Sequence, residues 1–429
     1  MDKYYYEFFF TVISLIIFLS HGQVHARKGY GNYEQEWDYV TVRPNAQMFW
    51  WLHYVNPLNS STNGNFSVYE KPLLIWLQGG PGASSTGYGN FEELGPIDLD
   101  GNQRNHTWIN DYNVLFIDNP IGSGFSHAES FSAYAKTNLE IAEDLLECIR
   151  NFYYKLPEFI DVPTYITAES YGGKMAAEFA LLWFKEQKEK KIESNLKGVA
   201  LGDSWISPID SVISWAPFLL NTGMIDIRGY DLIQKSIEAT KLAVEQERWQ
   251  EATNLWGRTE NVIMEIVNNI DFYNILEKKK PNDYFDIRDE LLDKLMNSDV
   301  KEALGLNVTW GEQSSRVFSI LSGDFMKPAV HIVERLLNET NLEIFVFTGQ
   351  LDLIVATPGT LAWVEALKWH GKKKWETSER KTVVVDNIIE GYVKEYSNFK
   401  MYWINRSGHM VPRDNPYATK AMLQHLTKL

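Results

Sequence analysis

The residues best placed for chemistry are a serine, an aspartate and a histidine spread along the chain. Ser170 lies in Tyr165-Ile166-Thr167-Ala168-Glu169-Ser170-Tyr171-Gly172-Gly173-Lys174, a run that reads as a short strand, a sharp turn and a helix start. Such a turn lifts a hydroxyl off the end of a strand and sets it before the positive end of a helix. The usual pattern is Gly-x-Ser-x-Gly. Here Ala168 holds the place of the first glycine, so the run alone fits a nucleophile and a helix-capping serine equally well. A serine needs a base, and the base needs a group to orient it. Asp352 follows an apolar run at 344–347, inside Thr348-Gly349-Gln350-Leu351-Asp352. His409 follows another at 400–404, inside Ser407-Gly408-His409-Met410-Val411-Pro412, and of the nine histidines it alone stands between a late strand and the closing helix. The order Ser, Asp, His, each at a strand end, is that of triads built on a strand–turn–helix elbow. The chemistry is acyl transfer with Ser170 as nucleophile, His409 as base and Asp352 as orienting acid.

Acyl transfer also needs two N–H donors aimed at the developing oxyanion. One is expected from Tyr171, directly after the nucleophile. The other is expected from Gly80, in the loop Gln78-Gly79-Gly80-Pro81-Gly82 that follows the strand at 73–77. A phosphate-cradling role for this loop is weak, because no Gly-Lys-Ser/Thr follows it.

The elements that must hold these groups alternate. Strands are expected at 37–42, 48–55, 73–77, 112–117, 164–167 and 196–201, and again at 342–348, 382–385 and 400–404. Helices are expected at 136–152, from 173 to about 190, and at 416–426. This alternation predicts an α/β fold with a mostly parallel central sheet and helices on both faces. The stretch from about 210 to 336 is different: helical periodicity dominates, with helices expected at 230–250 and 259–276. Inserted into a sheet, it would form a helical cap over the active site.

Composition narrows the setting. The chain has 429 residues, 45% hydrophobic, and a formal net charge of −15. That charge argues against a nucleic-acid partner. Residues 1–26 combine Lys3, an apolar run at 8–19 and Val24-His25-Ala26, the pattern of a signal peptide. Residues 27–429 then form a single domain, with no apolar run long enough to span a bilayer. Sequons at Asn59, Asn65, Asn105, Asn307 and Asn338 agree with passage through the secretory pathway to secretion or the lysosome; a sixth, at Asn405, is doubtful beside the His409 loop. Cys148 is the only cysteine, so no intramolecular disulfide forms, and it reads as a buried structural thiol.

Several separate motifs resemble the serine carboxypeptidase family: Trp76 to Gly82, Glu93-Leu94-Gly95-Pro96, Asp118 to Ser126, Glu169-Ser170-Tyr171-Gly172-Gly173, Gly349-x-x-Asp352 and Gly408 to Pro412. The resemblance implies an α/β-hydrolase fold and removal of C-terminal residues from peptides and proteins through an acyl-enzyme on Ser170, with no metal or other cofactor. It implies that Glu169 and Gln78 bind the substrate's terminal carboxylate, with Glu93 as the second acid and Gly79 and Met410 flanking the site. The amide is usually Asn, so Gln78 shifts its reach. Ala83 stands where members often carry Cys, so their disulfide framework is absent. Two carboxyls can bind each other only by sharing a proton, so peptide binding is expected to favour acidic pH. An acyltransferase on the same scaffold, or a homologue with little peptidase activity, stays open on the residues alone, as do side-chain preference and oligomeric state.

Overall fold

The computed structural model describes residues 27–56, 67–280 and 287–429. The expected signal peptide and the sequons at Asn59 and Asn65 lie outside the described residues. One mixed sheet organises the chain: β1 (Arg27–Lys28), β2 (Glu34–Arg43), β3 (Ala46–His53), β4 (Leu73–Leu77), β5 (Asn113–Ile117), β6 (His127–Ala128), β7 (Thr164–Glu169), β8 (Leu196–Gly202), β9 (Glu343–Gly349), β10 (Arg380–Val385), β11 (Ile388–Tyr396) and β12 (Phe399–Ile404). The spatial order is β1-β2-β3-β5-β4-β7-β8-β9-β12-β11-β10, with β6 paired to β3. The stretch from β5 to β12 is parallel throughout, and antiparallel strands close both sides.

β4, β5 and β7 are buried along their whole length. Their near-continuous apolar character is what a sheet covered on both faces requires. The helices Asn138–Lys155 and Tyr171–Lys188 pack into the larger apolar core through residues such as Ile141, Leu145, Phe179 and Trp183. Pro416–Thr427 covers the other face, where Met422 and Leu426 meet Phe345 and Tyr402. Cys148 is buried in the larger core, which pushes its thiol pKa up.

Between β8 and β9 the described residues hold helices only, from Pro208–Asn221 to Val330–Glu339. Two boundaries differ from the sequence expectation. The helices expected at 230–250 and 259–276 are Ile227–Glu245 and Trp249–Val267, so the break between them falls earlier, at a turn in which Glu247 adopts φ 56°. The second ends at Asn268 and Asn269, with φ of 55° and 88°, so 268–276 is a loop rather than helix. Asparagine tolerates this left-handed geometry better than most residues. β11 was not expected: one end of it is exposed and it holds Gly391, so no clean alternation marks it.

Candidate active site

The parallel strands deliver the functional groups from their carboxyl ends, where open α/β sheets bind ligands. Ser170 follows β7, Asp352 follows β9, His409 follows β12, and the Gly79–Gly80 loop follows β4. Ser170 adopts φ 61° and ψ −130°, a conformation that costs a non-glycine residue about 1–3 kcal/mol. The surroundings impose it. Ser170 N–H donates to the Gly202 carbonyl at 3.0 Å, and its own carbonyl accepts from Trp205 at 2.8 Å and Gly173 at 3.1 Å. Ala168 is fully buried in register between Leu77 and Leu201, so a methyl group is accommodated where the general pattern has glycine. Gly172 has no such freedom, because a Cβ there would overlap the Leu77 carbonyl.

His409 Nδ1 lies 2.7 Å from Asp352 Oδ2. Asp352 Oδ1 accepts the Val355 N–H at 3.1 Å, so the carboxylate is held at both oxygens. His409 Nε2 has no hydrogen-bond partner among the described residues. Burial holds the imidazole below the usual histidine range, although Asp203, Glu93 and Asp271 oppose that shift. A neutral imidazole with Nδ1–H on Asp352 leaves Nε2 as the free base.

The Gly79–Gly80 loop lies against the elbow. A Cβ on Gly79 would come within 2.5 Å of Ser170 Cβ, so only glycine allows this approach. Neither the Gly80 N–H nor the Tyr171 N–H meets a carbonyl among the described residues. Behind the loop, Asp118 accepts from Ser84 Oγ, Thr86 N–H, Thr86 Oγ1 and Phe125 N–H at 2.8–3.0 Å, tying the turn after β5 to the segment that follows the glycine loop.

Ser170, His409, Glu169, Gln78, Gly79, Gly80 and Met410 line one cavity of about 250 Å³. Gln78 Nε2 donates to Glu169 Oε1 and to Glu93 Oε1, both at 3.0 Å. Its Oε1 accepts the Trp76 indole N–H at 2.7 Å, which fixes the orientation of the amide. Glu93 is not in the cavity wall; it stands behind Glu169 and bonds to it. Burial, then the Glu93 carboxyl, holds Glu169 well above the usual carboxyl range. Burial also raises Glu93, with the hydrogen bonds from Glu169 and Gln78 opposing. Contact between the two acids therefore favours the proton on Glu169 over Glu93.

Three contributors escaped the sequence reading. Asp203, at the end of β8, is fully buried and touches Asp352; its place at a strand end was the available signal. The loop at 271–275 is knitted to the loops that carry Asp352 and His409. His409 N–H donates to the Tyr273 carbonyl at 2.7 Å, and the Leu353 and Ile354 N–H groups donate to the Phe272 carbonyl. Asp324, in the helix Ser315–Phe325, accepts from the Tyr171 hydroxyl at 2.8 Å and pairs with Lys174 at 2.7 Å. Such long-range contacts leave no mark on local periodicity.

Of the described sequons, Asn105, Asn307 and Asn338 are exposed. The Asn338 amide donates to the Glu334 and Lys368 carbonyls, bonds that a glycan there would displace.

Comparison with known proteins gives the same picture at the scale of the whole chain. The family model described as serine carboxypeptidase matches residues 27–428. The retinoid-inducible serine carboxypeptidase of Mus musculus is 41% identical over 422 residues, covering 92% of each chain. Serine carboxypeptidase-like 51 of Arabidopsis thaliana is 35% identical over 458 residues, covering 98% of each. The solved structure of a prohormone-processing carboxypeptidase from Saccharomyces cerevisiae is similar with a TM-score of 0.79 at 23% identity, covering 92% of this chain and 91% of that one, a likeness of fold. The family match runs from the first strand to the last helix and spans every residue of the site; this chain belongs to the serine carboxypeptidase family.

Proposed function

We propose that the chain hydrolyses the C-terminal peptide bond of peptides and proteins, with Ser170, His409 and Asp352 as its triad. The observation that carries this reading is the buried Glu169 carboxyl, bonded by Gln78, backed by Glu93 and raised by burial, in the cavity that also holds Ser170 and His409. A neutral carboxyl is a donor that a free peptide terminus can accept, whereas an ionised one would repel it. His409 Nε2 takes the proton of Ser170 Oγ as the oxygen attacks the last peptide carbonyl. The Gly80 and Tyr171 N–H groups stabilise the oxyanion. His409 then gives the proton to the departing amino group, and water resolves the acyl-enzyme by the same route in reverse.

Peptide hydrolysis favours acidic pH, because Glu169 must keep its proton. Met410 and Gly79 line the path of the last residue. The first 26 residues direct the chain into the secretory pathway, to secretion or a lysosome, and Asn105 and Asn307 are accessible for glycosylation. No described helix is long and apolar enough to cross a membrane.

The test is kcat/KM for a blocked dipeptide acid and its amide across pH, with Ser170→Ala as control. The acid substrate should be preferred, most strongly under acidic conditions. Equal rates for acid and amide at every pH, or activity surviving in Ser170→Ala, would overturn the assignment.

A further inference from the structure

We infer that Asp203 is a positioning residue for the triad: in neutral form it donates a hydrogen bond to Asp352 and so holds Asp352 as the ionised acceptor of His409. The inference rests on the reading of Ser170, Asp352 and His409 as the catalytic triad. Asp203 is the first residue after β8, and its backbone is fixed with φ 36° by an N–H bond to the Phe347 carbonyl at 2.9 Å. Its side chain is wholly buried. Oδ1 accepts the Gly349 N–H at 2.8 Å, and so grips the strand end three residues before Asp352. Oδ2 has no donor among the described residues, while the carboxyl is in hydrogen-bond contact with Asp352.

Two carboxylates in contact away from water cannot both be ionised. The surroundings decide which one keeps a proton. Asp352 has a donor on each oxygen: His409 Nδ1 on Oδ2 and the Val355 N–H on Oδ1. Asp203 has a single donor, so a proton on its second oxygen leaves no buried oxygen of the pair unsatisfied. Burial raises both carboxyls, but contact between them pushes Asp203 further up while the bonds from Asp203 and Val355 pull Asp352 back down. The other charged and titratable groups facing the pair and His409 include Glu169, whose Oε1 lies 3.9 Å from His409 Nε2, Tyr273 and Asp271 from the loop at 271–275, Glu93 behind Glu169, and Arg413. An ionised Asp203 would add a second negative charge behind the imidazole and favour its protonated form, which is useless as a base. A neutral Asp203 supplies the hydrogen bond without that charge.

The experiment compares wild type, Asp203→Asn and Asp203→Ala in the full chain. Its first reading is fluorophosphonate labelling mapped to Ser170. Wild-type protein that does not label there would overturn the triad reading, and with it any role for Asp203. Where wild type does label, the variants test Asp203 itself. Asparagine keeps an N–H donor toward Asp352 and an oxygen for the Gly349 N–H, so labelling rate and ester kcat should stay within about threefold of wild type. Alanine removes the donor, and both should fall about tenfold or more with KM little changed. The infrared spectrum at neutral pH should show a protonated-carboxyl stretch that Asp203→Asn loses. Asparagine as damaging as alanine, alanine equal to wild type, or an unchanged carboxyl band would overturn the inference. Should alanine not fold, the asparagine rates and the infrared band still decide it.

Discussion

Every polar atom of the Gln78 side chain is committed. Its oxygen takes the Trp76 N–H, and its nitrogen serves Glu93 and Glu169. Gln78 thus braces both acids from the wall of the cavity. The motif around Gln78 was legible in the sequence, but the consequence of a longer amide was not, because it depends on a partner two residues back on β4. Trp76→Phe removes the donor to Oε1 and leaves a buried acceptor unsatisfied, at a cost of about 1–3 kcal/mol. KM for free-acid peptides should rise several-fold while ester kcat is unchanged; equal losses on both would show that Trp76 does not act through the acid pair. At Glu169 the expected effect is larger. Glu169→Ala removes a hydrogen bond to a charged group, worth about 1.5–3 kcal/mol, so KM for peptide acids should rise about 10–100-fold. Labelling of Ser170 should not change, and a parallel loss of labelling would place Glu169 in the acyl-transfer step instead. Asp203 shows where reading by residue type falls short. It satisfies the strand-end criterion that picked out Asp352, yet no local motif surrounds it, and its chemistry exists only through contact with Asp352.

At the scale of elements, the strands and the elbow follow from apolar runs and turn residues, and β4 matches its expected bounds of 73–77. Register and cap docking do not follow, since both depend on contacts between distant segments. One such contact bears directly on Tyr171. Its hydroxyl and Lys174 Nζ converge on Asp324, and all three side chains are buried. The helix behind Ser170 is thereby bolted to the cap helix Ser315–Phe325, with the Tyr171 and Phe325 rings stacked 6.0 Å apart. Removing one partner of a buried pair leaves an uncompensated charge and typically costs about 3–5 kcal/mol. Lys174→Met should therefore lower the denaturation midpoint strongly. Because the Tyr171 N–H belongs to the same turn, ester kcat should fall more than KM rises. A Lys174→Met protein as stable as wild type would mean that the pair does not clamp the two elements together.

The whole molecule gathers buried acids that burial raises above the ordinary carboxyl range. Burial raises Glu93 to about 7 and Glu260, in the cavity wall, to about 8, and raises Glu169 and Asp203 well above the usual range. A folded pKa above the unfolded one means that the folded chain binds more protons through the intervening window. Stability then falls as pH rises. The buried histidines act in the opposite sense. His53, lowered to about 3 from an ordinary 6.5, and His409, also lowered, cost stability only as pH falls below that ordinary value. Above 6.5 their contribution is constant, and the acids set a falling slope through about 7 to about 8. The net charge of −15 adds self-repulsion of the same sign. The melting temperature should therefore decline steadily from mildly acidic to mildly alkaline solution at fixed ionic strength, and Glu260→Gln should flatten the upper part of that decline. A melting temperature that is level or rises across this window would show that these acids are not protonated in the folded chain, and would remove the common physical basis for acid stability and for acid-favoured peptide binding.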